Sequence, residues 1–374
     1  MPTRDGCDQL MDGDWSSIIM QLIWIIFFIM IFTGANQKIQ MRLWSYDIRN
    51  KLRIIKNYVD EDKNRVEKLL KNLGLEAPGI LMKRAIDFFT IEPVSIEPTD
   101  IIKRLDHLIR TSERSFRNLI ASYLPGVGRY ERSLIETSVS LVAVLNMIYK
   151  IVQHYLITAE KQNNWILLMQ LELAMPQIMK LVETYHEALD PFTTGKPIGD
   201  CVGPLVAHKI IENGKILSRR VVDETSVTEV WLEDRRIFVI KAEGPGSNVG
   251  RPGHVLADLV EKLKGNIDLV ITIDAALKLE GEETGEIAEG VGAAIGDPGP
   301  EKIAIERAST KYNIPLRALI IKMDHGEAIH TMKKEIFEAG ERAYEYVVKL
   351  IKELTPPNST IIIAGIGNTM GIPG

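Results

Sequence analysis

Cysteine is almost absent from this chain: among 374 residues only Cys7 and Cys201 carry a thiol. Two thiols cannot build a Cys-rich zinc cluster or a disulfide framework. They also stand on opposite sides of a long apolar segment, so no bridge between them is expected. Positive charge is not in surplus either. The net charge is -5, which removes the basic footprint that broad nucleic-acid binding needs, and no Lys/Arg run is interleaved with aromatics. No nucleic-acid partner is expected. Also missing are the Lys-Ser/Thr ending of a P-loop, the spacing of a dinucleotide fingerprint and any Glu-x-x-His pairing of the kind that holds metals in helix bundles.

What is present begins with one apolar run. Ile18 to Phe32 reads IIMQLIWIIFFIMIF, with Gln21 its sole polar residue. With its uncharged flanks the stretch reaches about 20 residues, enough to cross a hydrocarbon core of about 30 Å. A core helix keeps a polar stripe, and a signal peptide has a basic start; here Arg4 faces Asp5, Asp8, Asp12 and Asp14. A retained transmembrane helix over 18–36 is expected, with Trp15 and Trp44 as interfacial anchors. Lys38, Arg42, Arg49, Lys51, Arg53 and Lys56 follow it. The positive-inside tendency then leaves residues 1–17 as an extracytoplasmic tail and puts the rest in the cytoplasm of a single-pass protein at the cell membrane, with the lipid bilayer as its first partner.

Beyond the membrane, Ile48, Leu52, Ile55, Val59, Asp62, Val66, Leu69 and Leu73 fall in a four-three alternation, the seam of a coiled coil. Either residues 48–73 pair two copies into a homo-oligomer or they form an amphipathic helix packed on its own domain. Gly74 and Pro78 close that helix. Further helices are expected from Thr99-Asp100 to Tyr123, then over SLIETSVSLVAVLNMIYKIVQHYLITAEK and NWILLMQLELAMPQIMKLVETYHEAL. Glu136, Asn146 and Lys150 interrupt the first of these long stretches, which favours a core helix over a second membrane span. Residues 37–190 therefore read as an all-α connector.

After Asp190-Pro191 the texture changes, and residues 191–374 read as an α/β domain with a mainly parallel sheet flanked by helices. Helices are expected from Gly203 to Asn213 and near 254–264, 300–312 and 326–354. Strands are expected near 215–222, 227–233, 236–242, 267–273, 316–323 and 360–366. Sheets of this type bind ligands beyond the carboxyl ends of their strands. Asp274, Asp324-His325 and Gly367-Asn368 follow the three most apolar strands, and Asp200 stands before a helix start. Gly203 would allow a close backbone approach.

The run GDCVGPLVAHKII resembles the aspartate-plus-Gly-Pro helix start of the hydrogenase maturation peptidases and the spore germination protease. In those families a strand ending in Gly-x-Gly-Asn precedes it. Here Gly365-Ile366-Gly367-Asn368 lies at the other end of the chain, as a circular permutation would give. IDAALKLEGEETGEIAEGVGAAIGDPG resembles the germination protease segment from an Ile-Asp-Ala strand end into a Gly-rich acidic loop. That likeness implies Glu289 as the second catalytic carboxylate. The maturation peptidases imply Asp200, Asp274 and His325 as ligands of a divalent metal, with His330 competing for the last place. Taken whole, the chain resembles an archaeal family of membrane-anchored proteins, the domain of unknown function numbered 1512, which implies no activity.

Three accounts of these residues stay open. Asp200 with Glu289, Asp274 beside them, can share a proton as an acid–base pair. Asp200, Asp274 and His325 can hold a metal for hydrolysis. Or each is a local cap or turn residue. Gly244 to Arg251 can cradle an anion through Gly246, Asn248 and Arg251, with Gly367 and Asn368 at the same rim, or it is a plain loop. A peptidase-like hydrolase and a non-enzymatic, membrane-tethered ligand-binding or scaffold protein are therefore the two functional expectations.

Overall fold

A computed structural model describes residues 19–25, 35–91, 93–94, 99–296 and 299–374. The expected transmembrane segment at 18–36 lies for the most part outside the described residues. Its described part, 19–25, is helical and exposed, as is the chain resuming at 35. Asp297 and Pro298 also lie outside them.

The N-terminal half is all helix: α1 (Ala35–Asn72), α2 (Pro78–Ile86), α3 (Ile101–Tyr123), α4 (Arg129–Lys161) and α5 (Trp165–Thr194). The chain divides into two compact units. The first comprises residues up to Asn57 and Met147–Val182, hence the start of α1 and the facing parts of α4 and α5. Ile48, Leu52 and Ile55 are buried there with Val152, Leu156, Leu168 and Met175. Arg49 pairs with Glu160 at 2.5 Å, and Lys51 with Glu172 at 3.0 Å. Met147, Ile151, Tyr155, Ile166 and Leu173 are exposed in this unit. By length and composition α4 and α5 are both apolar enough to cross a membrane, and only 33% and 22% of their most apolar windows are buried. Within this unit α4 is amphipathic, with Val152, Leu156 and Ala159 buried and Met147, Ile151 and Tyr155 exposed.

The second unit comprises Tyr58–Asn146 and Glu183–Gly374. Here the seam residues Val59, Asp62 and Val66 are buried inside the chain. Asp62 Oδ1 meets His186 Nδ1 at 2.8 Å, and the imidazole stacks on Tyr58. Of the seam residues expected over 48–73, Ile48 to Val66 are buried, while Leu69 and Leu73 are half-buried.

Past a 3-10 turn (Gly199–Cys201) come α6 (Val202–Asn213), β1 (Lys215–Val222), β2 (Thr225–Leu232), β3 (Arg235–Ala242), α7 (Pro252–Lys262), β4 (Leu269–Leu277), β5 (Ile287–Val291), α8 (Pro300–Lys311), β6 (Leu316–Met323), α9 (His325–Ile329), α10 (Lys334–Leu354) and β7 (Thr360–Gly365). The strands form one sheet in the order β1-β2-β3-β7-β4-β6-β5. It is mixed, not mainly parallel. β3, β7, β4 and β6 run parallel, while β1–β2, β2–β3 and β5–β6 are antiparallel. β5 occupies part of what the sequence presents as a glycine-rich loop. The helix expected over 326–354 is broken in two, because Thr331 leaves the helix to bridge Ile198.

Strand alternation sorts the core into two layers. Ile271, Ile273, Leu319, Ile321, Ile361 and Ile363 face α6 and α10. Val270, Ile362, Ala364, Phe238 and Ile240 face α7 and α8. A third cluster packs the helical residues of this unit onto Ile198, Cys201, Met370 and Ile372 at the sheet's rim.

Candidate functional site

The centre of the sheet is the last strand. β7 lies between β3 and β4, so its exit delivers Ile366-Gly367-Asn368 to the rim where α6 begins. Glycine makes this junction. A Cβ at Gly203 would overlap the carbonyl oxygens of Ile366 and Ile273, and one at Gly367, whose φ is +126°, would overlap Asp200 O. Only residues without a side chain allow α6 and β7 this close. The approach brings Asn368 N–H to Asp200 Oδ2 at 2.8 Å.

Asp274 is the last fully inward residue of β4. Its Oδ1 accepts from Ala275 N–H at 2.8 Å and its Oδ2 from Gly296 N–H at 3.0 Å. Burial pushes the Asp274 carboxyl up to about 7; the neighbouring charge of Asp200 adds to this, and the two N–H groups oppose it. Burial raises Asp200 as well, against the pull of Asn368 N–H. Like charges enclosed together do not both ionise easily. Burial thus favours the protonated form of both carboxyls, and the charge of Asp200 adds to this at Asp274. Cys201 is buried, its Sγ turned to Met370 O at 3.4 Å, and burial keeps that thiol protonated, which disqualifies it as a nucleophile.

Beside this pair lies a cavity of about 460 Å³ lined by Arg117, Arg129, Arg132, Tyr130, Ser133 and Glu136 from the helices, by Glu224 and Glu243, and by the Gly244–Asn248 loop. Asn368 joins the two places. Its backbone holds Asp200, while its Nδ2 donates to Ser247 Oγ at 3.0 Å. Thr137 Oγ1 lies 2.9 Å from the same Ser247 oxygen and 3.1 Å from Ser133 O, and its single proton can serve only one of them. Ser247 N–H donates to Ser133 Oγ at 3.1 Å. Arg117 pairs with Glu224, and Arg129 with Glu243 at 2.8 Å. Burial pushes Glu136 up to about 7, with Arg117 the chief opposing charge.

Comparison with protein families matches residues 198–373 to the domain of unknown function (DUF1512) C-terminal and residues 22–195 to the protein of unknown function (DUF1512) N-terminal domain. The chain belongs to the DUF1512 family. No curated protein matches it. Among solved structures, the crystal structure of a proteasome-assembly chaperone homologue from Mycobacterium tuberculosis is similar at 15% identity over 42% of this chain and 92% of its own, with a TM-score of 0.27. A score that low carries no argument, and that protein lends no support to the germination protease resemblance.

Of the residues the DUF1512 sequence nominates, Asp200, Asp274, Gly367 and Asn368 meet at one rim. Glu289 does not join them. On β5 its row of the sheet is Leu319 and Ile273, whereas Asp274 shares its row with Ile320 and Ala288. Paired residues share a face, so Glu289 projects from the opposite side. There it accepts from Tyr346 O–H at 2.8 Å and faces Arg317 at 3.6 Å. His325 is exposed at the start of α9 and packs edge-on against Tyr185. Asp324, which precedes it, is committed to a capping box with Glu327. His330 Nε2 turns to Thr184 O at 2.9 Å. Asp200, Asp274 and His325 therefore do not assemble as metal ligands. Among the described residues, one set of three has converging ligand atoms, Asp106, His254 and Glu301. Gly246 and Asn248 do line the cavity, but Arg251 leaves it for Glu113 at 2.6 Å. The cavity's arginines and Glu136 sit on helices with an ordinary charge pattern. The one sequence signal was a carboxylate inside the apolar run of α4, which reads first as an interruption.

Proposed function

We propose that the α/β domain is a carboxylate-dependent hydrolase in which Asp200 and Asp274 are the acid–base pair. The carrying observation is their enclosure at the carboxyl ends of parallel strands, with Asp274 held near 7. In this reading the ionised member takes a proton from water as it attacks, and the protonated member gives its proton to the leaving group, so the scissile bond gains the elements of one water. Gly367 and Asn368 fix Asp200, and Gly296 fixes Asp274. No metal is assigned to this pair: the ring of His325, the third ligand such chemistry needs, packs on Tyr185, and among the described residues these three do not form a converging set. The resemblance of GDCVGPLVAHKII to the maturation and germination peptidases supports a peptide or related amide bond as the target. The apolar run from Ile18 to Phe32 supports a bilayer tether with the α/β domain on the cytoplasmic side.

The second reading, a ligand-binding module without chemistry, is favoured by the polar cavity at Ser247 and Asn368. One assay separates the two. The full chain is incubated with a library of quenched fluorescent peptides across pH 5 to 8. Hydrolysis that Asp200→Asn and Asp274→Asn each reduce at least a hundredfold, while Glu289→Gln leaves it unchanged, is the expected result. Cleavage that survives both aspartate substitutions, or no cleavage of any member, sinks the hydrolase reading.

A further inference from the structure

A second cluster of ionisable groups lies away from the aspartate pair. Asp106 stands on α3, in the N-terminal DUF1512 domain; His254 and Glu301 open α7 and α8, in the C-terminal one. His254 Nε2 is 3.1 Å from Asp106 Oδ1 and 3.3 Å from Glu301 Oε1. A neutral imidazole carries at most one proton on that nitrogen, so it can satisfy only one of the two oxygens. Glu301 Oε1 is indeed buried without a hydrogen-bond donor. The outer oxygens are already fixed. Asp106 Oδ2 lies 2.9 Å from Arg110 Nε, and Glu301 Oε2 accepts the His254 backbone N–H at 2.9 Å. Those outer contacts turn one oxygen of each carboxylate towards the same ring nitrogen, as outer-shell partners do around metals.

We propose that Asp106, His254 and Glu301 bind one divalent cation of the zinc or manganese type, which clips α3 to the N-terminal ends of α7 and α8. The three ligand atoms lie within 4.8 Å of one another. Metal–ligand bonds of about 2.0–2.2 Å put neighbouring ligands roughly 3 Å apart, so the spacings already found need little adjustment. One imidazole and two carboxylates suit Zn²⁺ or Mn²⁺ better than an all-oxygen cation such as Ca²⁺, and three protein ligands leave positions for water. Two cations compete: Arg110 holds Asp106 through its outer oxygen, and Arg251 Nη1 is 3.5 Å from Glu301 Oε1. Its other nitrogen keeps Glu113 at 2.6 Å, so the guanidinium has a partner when a metal takes Oε1. Close packing of α7 against α8, where a Cβ at Gly253 would overlap Glu301 O, holds two of the ligands in place. The clip would thus tie together the two sequence domains of the family within one compact unit.

The test is titration of the chelator-treated full chain with Co²⁺, read by its visible ligand-field bands, and with Zn²⁺, read by calorimetry and melting temperature. Saturable binding of one ion per chain with a raised melting temperature is expected. His254→Gln keeps a hydrogen-bonding side chain at the site, and its fold is checked by circular dichroism. This variant and Asp106→Asn are each expected to weaken Co²⁺ at least tenfold, while Asp274→Asn and Glu289→Gln keep it. Absence of saturable binding overturns the proposal. So does binding unchanged in folded His254→Gln, or lost in Asp274→Asn instead.

Discussion

At the scale of single residues, Asp274 ties site chemistry to stability. Its carboxyl titrates at about 7 in the fold against an ordinary 3.8. Below 3.8 both folded and unfolded chains hold the proton. Between 3.8 and 7 the unfolded chain has released it and the folded one has not, so stability falls as pH rises through that window and levels off above it. The full span corresponds to at most about 4 kcal/mol. Asp200 is raised by burial too and adds a slope of the same sign. Asp274→Asn is expected to flatten the fall of melting temperature between pH 4 and 7, leaving the Asp200 part. It should also lower stability at pH 4, because one of the two N–H donors, Ala275 or Gly296, loses its carboxylate oxygen. Melts of both proteins across that range decide it, and parallel curves would remove Asp274 as the enclosed acid. The two aspartates were legible in the sequence because Asp274 follows an apolar strand run and Asp200 stands just before a helix start. Glu289 was not correctly placed, because a one-residue difference along β5 sets the face, and a glycine-rich run does not reveal its pairing.

At the scale of elements, the junction of α6 with β7 governs whether Asp200 reaches Asn368. Gly203→Ala puts a methyl into two backbone carbonyls, and backbone cannot yield as a side-chain tip does. Overpacking of this kind costs about 1–3 kcal/mol or more. Stability of the variant by denaturant titration should fall by at least about 2 kcal/mol, with the proposed hydrolysis lost in the molecules that stay folded; a neutral outcome would mean that the helix start is looser than its packing implies. The apolar cores of β4, β6 and β7 announced themselves as continuous runs. The mixed sheet did not. β1, β2 and β3 are joined by two-residue turns at Asp223-Glu224 and Glu233-Asp234, all four residues with positive φ. Such turns usually declare themselves by Asn-Gly or Asp-Gly, and acidic pairs carry no comparable signal. The expected long helix near 326–354 missed its break for a similar reason. The bridge from Thr331 to Ile198 depends on a partner more than a hundred residues away.

At the scale of the whole molecule, three segments are candidates for a membrane span. Ile18 to Phe32 is the most apolar by composition, whereas α4 and α5 also meet the length and apolarity of a span. They differ in what else they do. α4 and α5 contribute Leu134, Val139, Leu189 and Phe192 to the cluster beside the sheet, and α4 supplies Glu136 to the cavity. Moving those turns into lipid would expose the cluster and bury a carboxyl that burial alone already raises to about 7. The described part of the first segment, 19–25, is exposed and lines neither the cluster nor the cavity. A chain lacking residues 1–34 is therefore expected to leave phospholipid vesicles for the aqueous fraction in a flotation assay, while the full chain floats. If the shortened chain floats equally well, attachment belongs to the apolar halves of α4 and α5, and the orientation inferred from Lys38 to Lys56 loses its basis.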